Sequence, residues 1–80
     1  MTDAPRVVLL GRVGCHLCDE ARAVVAGVCD ALDVAWVERD VDADPQLRRR
    51  WSDEVPVVLV DSTVHARYRV DPASLRRALR

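Results

Sequence analysis

Eighty residues make a single domain, because a chain this short buries only about 60% of its unfolded surface and has no room for a second core. Twelve basic against 13 acidic residues leave a net charge of -1, which excludes the concentrated positive surface that nucleic-acid binding requires. With 50% apolar and 31% charged residues, the composition is that of a globular protein and excludes a disordered one. The opening "MTDAPRVVLL" has no basic leader, and no stretch approaches the roughly 18 apolar residues of a membrane span. A cytoplasmic monomer that contacts neither membrane nor nucleic acid is therefore expected. Three cysteines are an odd number, and a reducing compartment keeps them as thiols, which favours a catalytic or metal role over a disulfide-stapled scaffold.

Residues Arg6 to Leu10 form a short apolar run of the kind found in a strand covered on both faces. Gly11 to Gly14 break that run. From Cys15 onward, Leu17, Ala21, Val24, Val25, Val28 and Leu32 recur at three and four, predicting an amphipathic helix of about four turns. "DVAWVERDV", residues 33 to 41, is β-branched and aromatic with charges at its end, predicting a strand at or near a sheet edge. Asp44 and Pro45 supply an N-cap and a first helical position for a short helix reaching about Trp51. After Glu54, "VPVVLVD" reads as a central strand, and "VHARYRV", residues 64 to 70, alternates as a half-exposed one. Only Ser62 and Thr63 separate the two runs, so they should pair as a hairpin, though that turn lacks the usual Gly or Asn. Asp71 and Pro72 repeat the helix-opening signature, and Leu75 and Leu79 lie four apart on one face of the helix that follows. The order is β-α-β-α-β-β-α.

"GCHLC" places two cysteines three apart where loop passes into helix. An isolated thiol, with a pKa near 8.5, is only a few per cent ionised at neutral pH. A sulfur at a helix start meets unpaired backbone N–H groups and the positive end of the helix dipole, which lower that value. Cys15 holds this position and is the expected nucleophile. Cys18, one turn on and nearer the apolar positions, is the expected resolving thiol, which attacks Cys15 in a mixed disulfide and releases the substrate. His16 between them and Arg12 in the loop are candidate positive charges favouring the thiolate, with a solvated ring and an ordinary surface charge as the plainer alternatives. Cys29, within the helix, reads as a small core residue. Trp36, Trp51 and Tyr68 read as core or rim packing, Trp51 with a possible place in a substrate groove. His65 reads as solvated. The "RRR" at 48 to 50 reads as a solvated helix face, or as a bidentate site for the carboxylate of a small thiol.

Two other classes compete. Structural zinc needs four ligands in paired spacing, and Cys15 and Cys18 have no second pair; an iron-sulfur cluster shared between two chains remains a metal-binding alternative. A non-catalytic adaptor that keeps only the fold is the other, and the intact cysteine pair argues against it.

The first strand, "GCHLC" leading into a helix, "EVPV" before the third strand and "RVDPASL" opening the last helix together resemble the glutaredoxin-like proteins of the thioredoxin-like superfamily. The resemblance spans nearly the whole chain. It implies an α/β thioredoxin-like fold over residues 1–80, with a four-stranded mixed sheet in the order 2-1-3-4 flanked by helices. It also implies a thiol–disulfide oxidoreductase that serves cell redox homeostasis by reducing protein or small-thiol mixed disulfides, with no bound cofactor. The electron source would be a low-molecular-weight thiol or a reductase. Val55-Pro56 would be a cis bond, turning the backbone of Val55 toward Cys15 so that its N–H and C=O pair with an extended substrate. The expected site is then Cys15 and Cys18 as catalytic residues, with Val55, Pro56, Arg12 and His16 contacting substrate and no metal. Glutathione is not carried over as the thiol. Glutaredoxins have a lysine ahead of the first cysteine, Thr before Val-Pro and a Gly-Gly-x-Asp turn for the γ-glutamyl group, and here those places hold Arg12 and Val13, Glu54 and "RVDPAS".

Overall fold

A computed structural model describes residues 4–80. It contains β1 (Val7–Gly11), α1 (His16–Leu32), β2 (Trp36–Asp40), a 3-10 turn (Val41–Ala43), α2 (Pro45–Trp51), β3 (Val57–Val60), β4 (Thr63–Arg67) and α3 (Pro72–Ala78). The four strands form one sheet in the order β2-β1-β3-β4. β1 runs parallel to β2 and antiparallel to β3, and β3 is antiparallel to β4. The expected fold class and strand order are both present.

β1 and β3 lie in the middle of the sheet, and their alternation serves both faces. Val7 and Leu9, with Val58 and Val60, pack against Ala21, Val25, Val28 and Cys29 of α1 and Leu75 and Leu79 at the end of the chain. Leu10 and Val57 face the other way, onto Val41 and Trp51. Covering on both faces explains why these strands read as near-continuous apolar runs rather than alternating ones. Trp51 is thus part of the core, and Cys29 is fully buried as expected.

The caps follow the sequence closely. Asp44 accepts the Gln46 N–H and Asp71 accepts the Ser74 N–H, both at 2.8 Å, with proline at the first helical position each time. α1 ends at Asp33, which takes the left-handed conformation (φ 56°), so β2 begins at Trp36 and not at residue 33.

The hairpin differs from expectation by one residue. Its two-residue loop is Asp61–Ser62, with φ of 50° and 71°, and Thr63 already pairs with Val60. Positive φ at both positions suits the right-handed twist of the strands, and Asp tolerates it without glycine. Arg6 holds the turn: its Nε and Nη2 donate to the Asp61 carboxylate at 3.0 and 2.9 Å, and its Nη1 donates to the Leu79 C=O at 3.1 Å. β4 also ends sooner than expected, at Arg67. Tyr68 turns left-handed (φ 67°), so the alternation that continued to Val70 belongs to a loop from there. His65 is half-buried, its Nε2 lying 3.2 Å from Ser74 Oγ, where a solvated ring was expected.

Two outcomes follow from this packing. Leu75→Ala should cost about 2–5 kcal/mol in denaturant unfolding, since Leu75 has no exposed surface in the larger core. The hydrogen bonds from Arg6 hold the Asp61 carboxyl below its usual range. A depressed folded value means that the contribution is present above the unfolded value of about 3.9 and lost as pH falls through the folded one. Asp61→Asn should therefore flatten the acid limb of stability measured against pH.

Candidate functional site

The C-terminal ends of β1 and β2, the start of α1 and the segment before β3 converge at one edge of the sheet. β1 feeds α1 through a four-residue loop, Arg12 to Cys15, in which Gly14 has a φ of 79° that favours glycine. Cys15 is the N-cap of α1, and its Sγ accepts the Cys18 N–H at 3.2 Å, satisfying one of the unpaired donors of the helix start. The sulfurs of Cys15 and Cys18 are bonded to each other, with Cα atoms 5.1 Å apart. Cys15 remains half-exposed, whereas Cys18 is 0% exposed. The helix periodicity had assigned the same asymmetry.

Cys18 is seated on β1. A Cβ added to Gly11 would stand 3.2 Å from both the Cβ and the Sγ of Cys18, so the first turn of α1 packs closely on the sheet here and a side chain at residue 11 would have to push Cys18 back by a few tenths of an ångström. Extending the β1–β3 register one step past Leu10–Val57 brings Pro56 alongside Gly11. Pro56 is buried and the Val55–Pro56 peptide is cis, as the resemblance implied. Among the described residues, neither the N–H nor the C=O of Val55 has a hydrogen-bond partner, while the Pro56 C=O accepts the Tyr68 N–H at 2.7 Å. Tyr68 is 48% exposed, and its hydroxyl donates to the Asp53 C=O at 3.2 Å, so the ring leans along the segment that leads to Val55.

The other expected contacts are placed differently. His16 is exposed, its Nε2 3.0 Å from Glu20 Oε2 one turn along α1. Arg12 turns away from the cysteines: Nε and Nη2 donate to the Asp42 carboxylate at 3.1 and 3.0 Å, Nη1 to the Ser52 C=O at 3.2 Å and Nη2 to Ser52 Oγ at 2.8 Å. These bonds hold the Asp42 carboxyl below its usual range and strap the active loop to the 3-10 turn and the end of α2. Of the triple arginine, Arg48 Nη2 donates to the Asp42 C=O at 2.7 Å and Arg50 lies over the Trp51 ring at 4.8 Å. Burial, with Asp30 nearby, pushes the Cys29 thiol pKa up, in keeping with its core position.

Sequence reasoning missed two features. One is a groove of about 350 Å³ beside Leu17, between α1 and the loop of residues 68–72, with Glu20 and Val24 on one wall and Tyr68, Arg69 and Asp71 on the other. Its walls come from segments nearly 50 positions apart, and no local signal announces it. The other is an ion-pair fork one helical turn beyond Cys18, in which Arg22 Nε and Nη2 each donate to the Glu38 carboxylate at 2.7 Å and Nη1 donates to Asp19 at 2.7 Å. The spacing of Asp19 and Arg22 at i and i+3 showed half of it. Among the described residues, no three metal-ligating side chains come together.

Gly11→Ala should lower stability by about 1–3 kcal/mol in denaturant unfolding, because the added methyl presses on Cys18 and lifts the first turn of α1. The loss should appear in both the oxidised and the reduced protein.

Residues 6–80 match the family model described as "Glutaredoxin-like domain (DUF836)". An uncharacterized protein of Mycobacterium tuberculosis is 35% identical over 77 residues, covering 90% of this chain and 79% of the relative. Among solved structures, protein XcR50 from X. campestris superposes with a TM-score of 0.74 at 27% identity, over 91% of this chain and 93% of the other. Protein Ne2328 from Nitrosomonas europaea superposes with a TM-score of 0.72 at 26% identity, over 94% and 91% of the two chains. The thioredoxin-like protein BC3987 has the same fold, with a TM-score of 0.67 at 22% identity over 92% and 94%. With the fold, the cysteine pair and this match in agreement, the chain belongs to the glutaredoxin-like domain family.

Proposed function

We propose that this protein is a thiol–disulfide oxidoreductase that reduces mixed disulfides of proteins or small thiols. The observation that carries this reading is the division between the two bonded sulfurs. Cys15 is half-exposed at the mouth of α1 and Cys18 is wholly buried behind it. A dithiol so arranged has one sulfur that a substrate can reach and one that it cannot.

In the reduced protein the Cys15 thiolate attacks one sulfur of the substrate disulfide. A mixed disulfide forms, and the other substrate sulfur leaves with the bonding pair and takes a proton from solvent. Cys18 then loses its proton, attacks Cys15 and displaces the remaining substrate sulfur, leaving the Cys15–Cys18 disulfide. Two electrons pass from the protein to the substrate, and a low-molecular-weight thiol or a separate reductase restores the dithiol. The Cys18 N–H that reaches Cys15 Sγ at 3.2 Å stabilises negative charge on the attacking sulfur.

The unpaired N–H and C=O of Val55, next to buried Pro56, offer a short edge for an extended substrate backbone. The groove beside Leu17 offers room for a substrate side chain, with Glu20, the partner of exposed His16, and Arg69 in its walls. Arg12 keeps the loop in place and contributes through that geometry. Both exchange steps are carried by the two sulfurs and require no metal.

Cys18→Ser should leave the first step intact and block the second, trapping a substrate adduct on Cys15 that intact mass and peptide mapping locate; an adduct on Cys29 would overturn the assignment. Cys15→Ser should abolish disulfide reduction in the presence of dithiothreitol. Alkylation of Cys15 in the reduced protein should be half-maximal at a pH below the free-thiol value of about 8.5.

A further inference from the structure

Cys18 has charged neighbours that the reaction above does not use. On β1 the residue beside its sulfur is Gly11, which carries no charge. Charge arrives from two other elements: α1 carries Asp19 and Arg22, and β2 carries Glu38 and Asp40 on the face toward α1, because Leu9 pairs with Glu38 and Gly11 with Asp40. Asp40 is occupied elsewhere, its carboxylate accepting the Asp42 N–H at 2.8 Å. Glu38 lies near the cysteine. The Cβ position at Gly11 that lies 3.2 Å from Cys18 Sγ lies 3.8 Å from Glu38 Oε2, which puts sulfur and carboxylate oxygen within about 7 Å of each other. Arg22 stands one turn beyond Cys18 on the same side of α1 and holds both Glu38 oxygens and Asp19, all at 2.7 Å.

We propose that Glu38 is a positioning residue of the redox pair: it masks the Arg22 charge beside Cys18 and, with Asp19, leaves a net negative charge there, so that Cys18 stays a thiol until Cys15 has reacted. This rests on the dithiol reading above. The three side chains sum to one negative charge, and Cys18 is fully buried, where water screens such a charge poorly. The single negative charge of the reduced pair is then confined to Cys15, the sulfur that a substrate meets. In the resolving step Cys18 gives its proton to solvent. Its thiolate forms the bond to Cys15 Sγ, and the bond from Cys15 to the substrate breaks, its electron pair leaving on the substrate sulfur, which is protonated by solvent.

The test is a titration of the Cys18 Cβ resonance in reduced, carbon-labelled protein. Glu38→Gln uncovers Arg22 and should lower the Cys18 midpoint by about two pH units, the shift expected from one charge at this range and an effective dielectric near 20. Arg22→Gln uncovers Glu38 and Asp19 and should raise the midpoint by a similar amount, and the double variant should return close to the starting value. A fork that matters only for folding would move both single variants in the same direction, because each breaks the same bonds. Shifts of equal sign, or no shift in either single variant, overturn the proposal. Arg22→Lys keeps the charge and should hold the midpoint, which supplies a reading should a glutamine variant unfold; a shift as large as that expected of Arg22→Gln would overturn the proposal. Because the titration needs no substrate, a protein that fails to reduce disulfides would overturn the proposed function, while this measurement still decides the role of Glu38.

Discussion

The close approach of α1 to β1 at Gly11 is the contact on which the rest of the site depends. A side chain at residue 11 would stand within 3.2 Å of Cys18, and its absence lets the first helical turn rest on the sheet. Once that turn is seated, Cys18 is enclosed and Cys15, three residues earlier, is left at the helix mouth. The same seating aligns Ala21, Val25 and Val28 over Val7, Leu9 and Val58, so that burial of the main core and placement of the sulfurs are one event. The difference in exposure between two identical side chains thus accompanies helix geometry and close packing at Gly11.

Around this seat, arginines act as struts between elements distant in sequence. Arg6 joins the start of β1 to the β3–β4 turn and the end of α3, Arg12 joins the active loop to α2, and Arg22 joins α1 to edge strand β2. Exposed ion pairs of this kind contribute little stability singly. Their value lies in geometry, since a planar fork with two parallel bonds sets the orientation of both partners. A composition with arginine as its only strongly basic residue, uninformative by itself, takes on meaning once the forks are seen. Two of the three border the cysteines.

The loop between β4 and α3 gives the site its individual character. Tyr68 takes a left-handed conformation, bonds through its N–H to Pro56 and through its hydroxyl to Asp53, and leaves part of its ring in the open. With Arg69 and Asp71 it forms one wall of the groove beside Leu17, opposite Glu20. Charges of both signs face an apolar floor there, which suits a substrate segment carrying apolar and polar groups together. Family membership accounts for the scaffold, and under the proposed function this loop is where a preference among disulfides would be written.

The sequence by itself determined what depends on near neighbours: the element order, the caps at Asp44 and Asp71, the difference in exposure between Cys15 and Cys18 and the core position of Cys29. Each follows from helix or strand periodicity, or from a hydrogen bond within four residues. Local pattern was less reliable at chain reversals, where the turn at Asp61–Ser62 and the early end of β4 at Arg67 rest on backbone conformations steadied by Arg6 and Pro56. Only the tertiary structure decided that Arg12 would serve as a strut, that Glu38 would lie near Cys18 and that a groove would open beside Leu17. Those facts require side chains 16 to nearly 50 positions apart to meet, and which of many possible partners an arginine or a carboxylate finds is settled by the packing of the sheet against its helices.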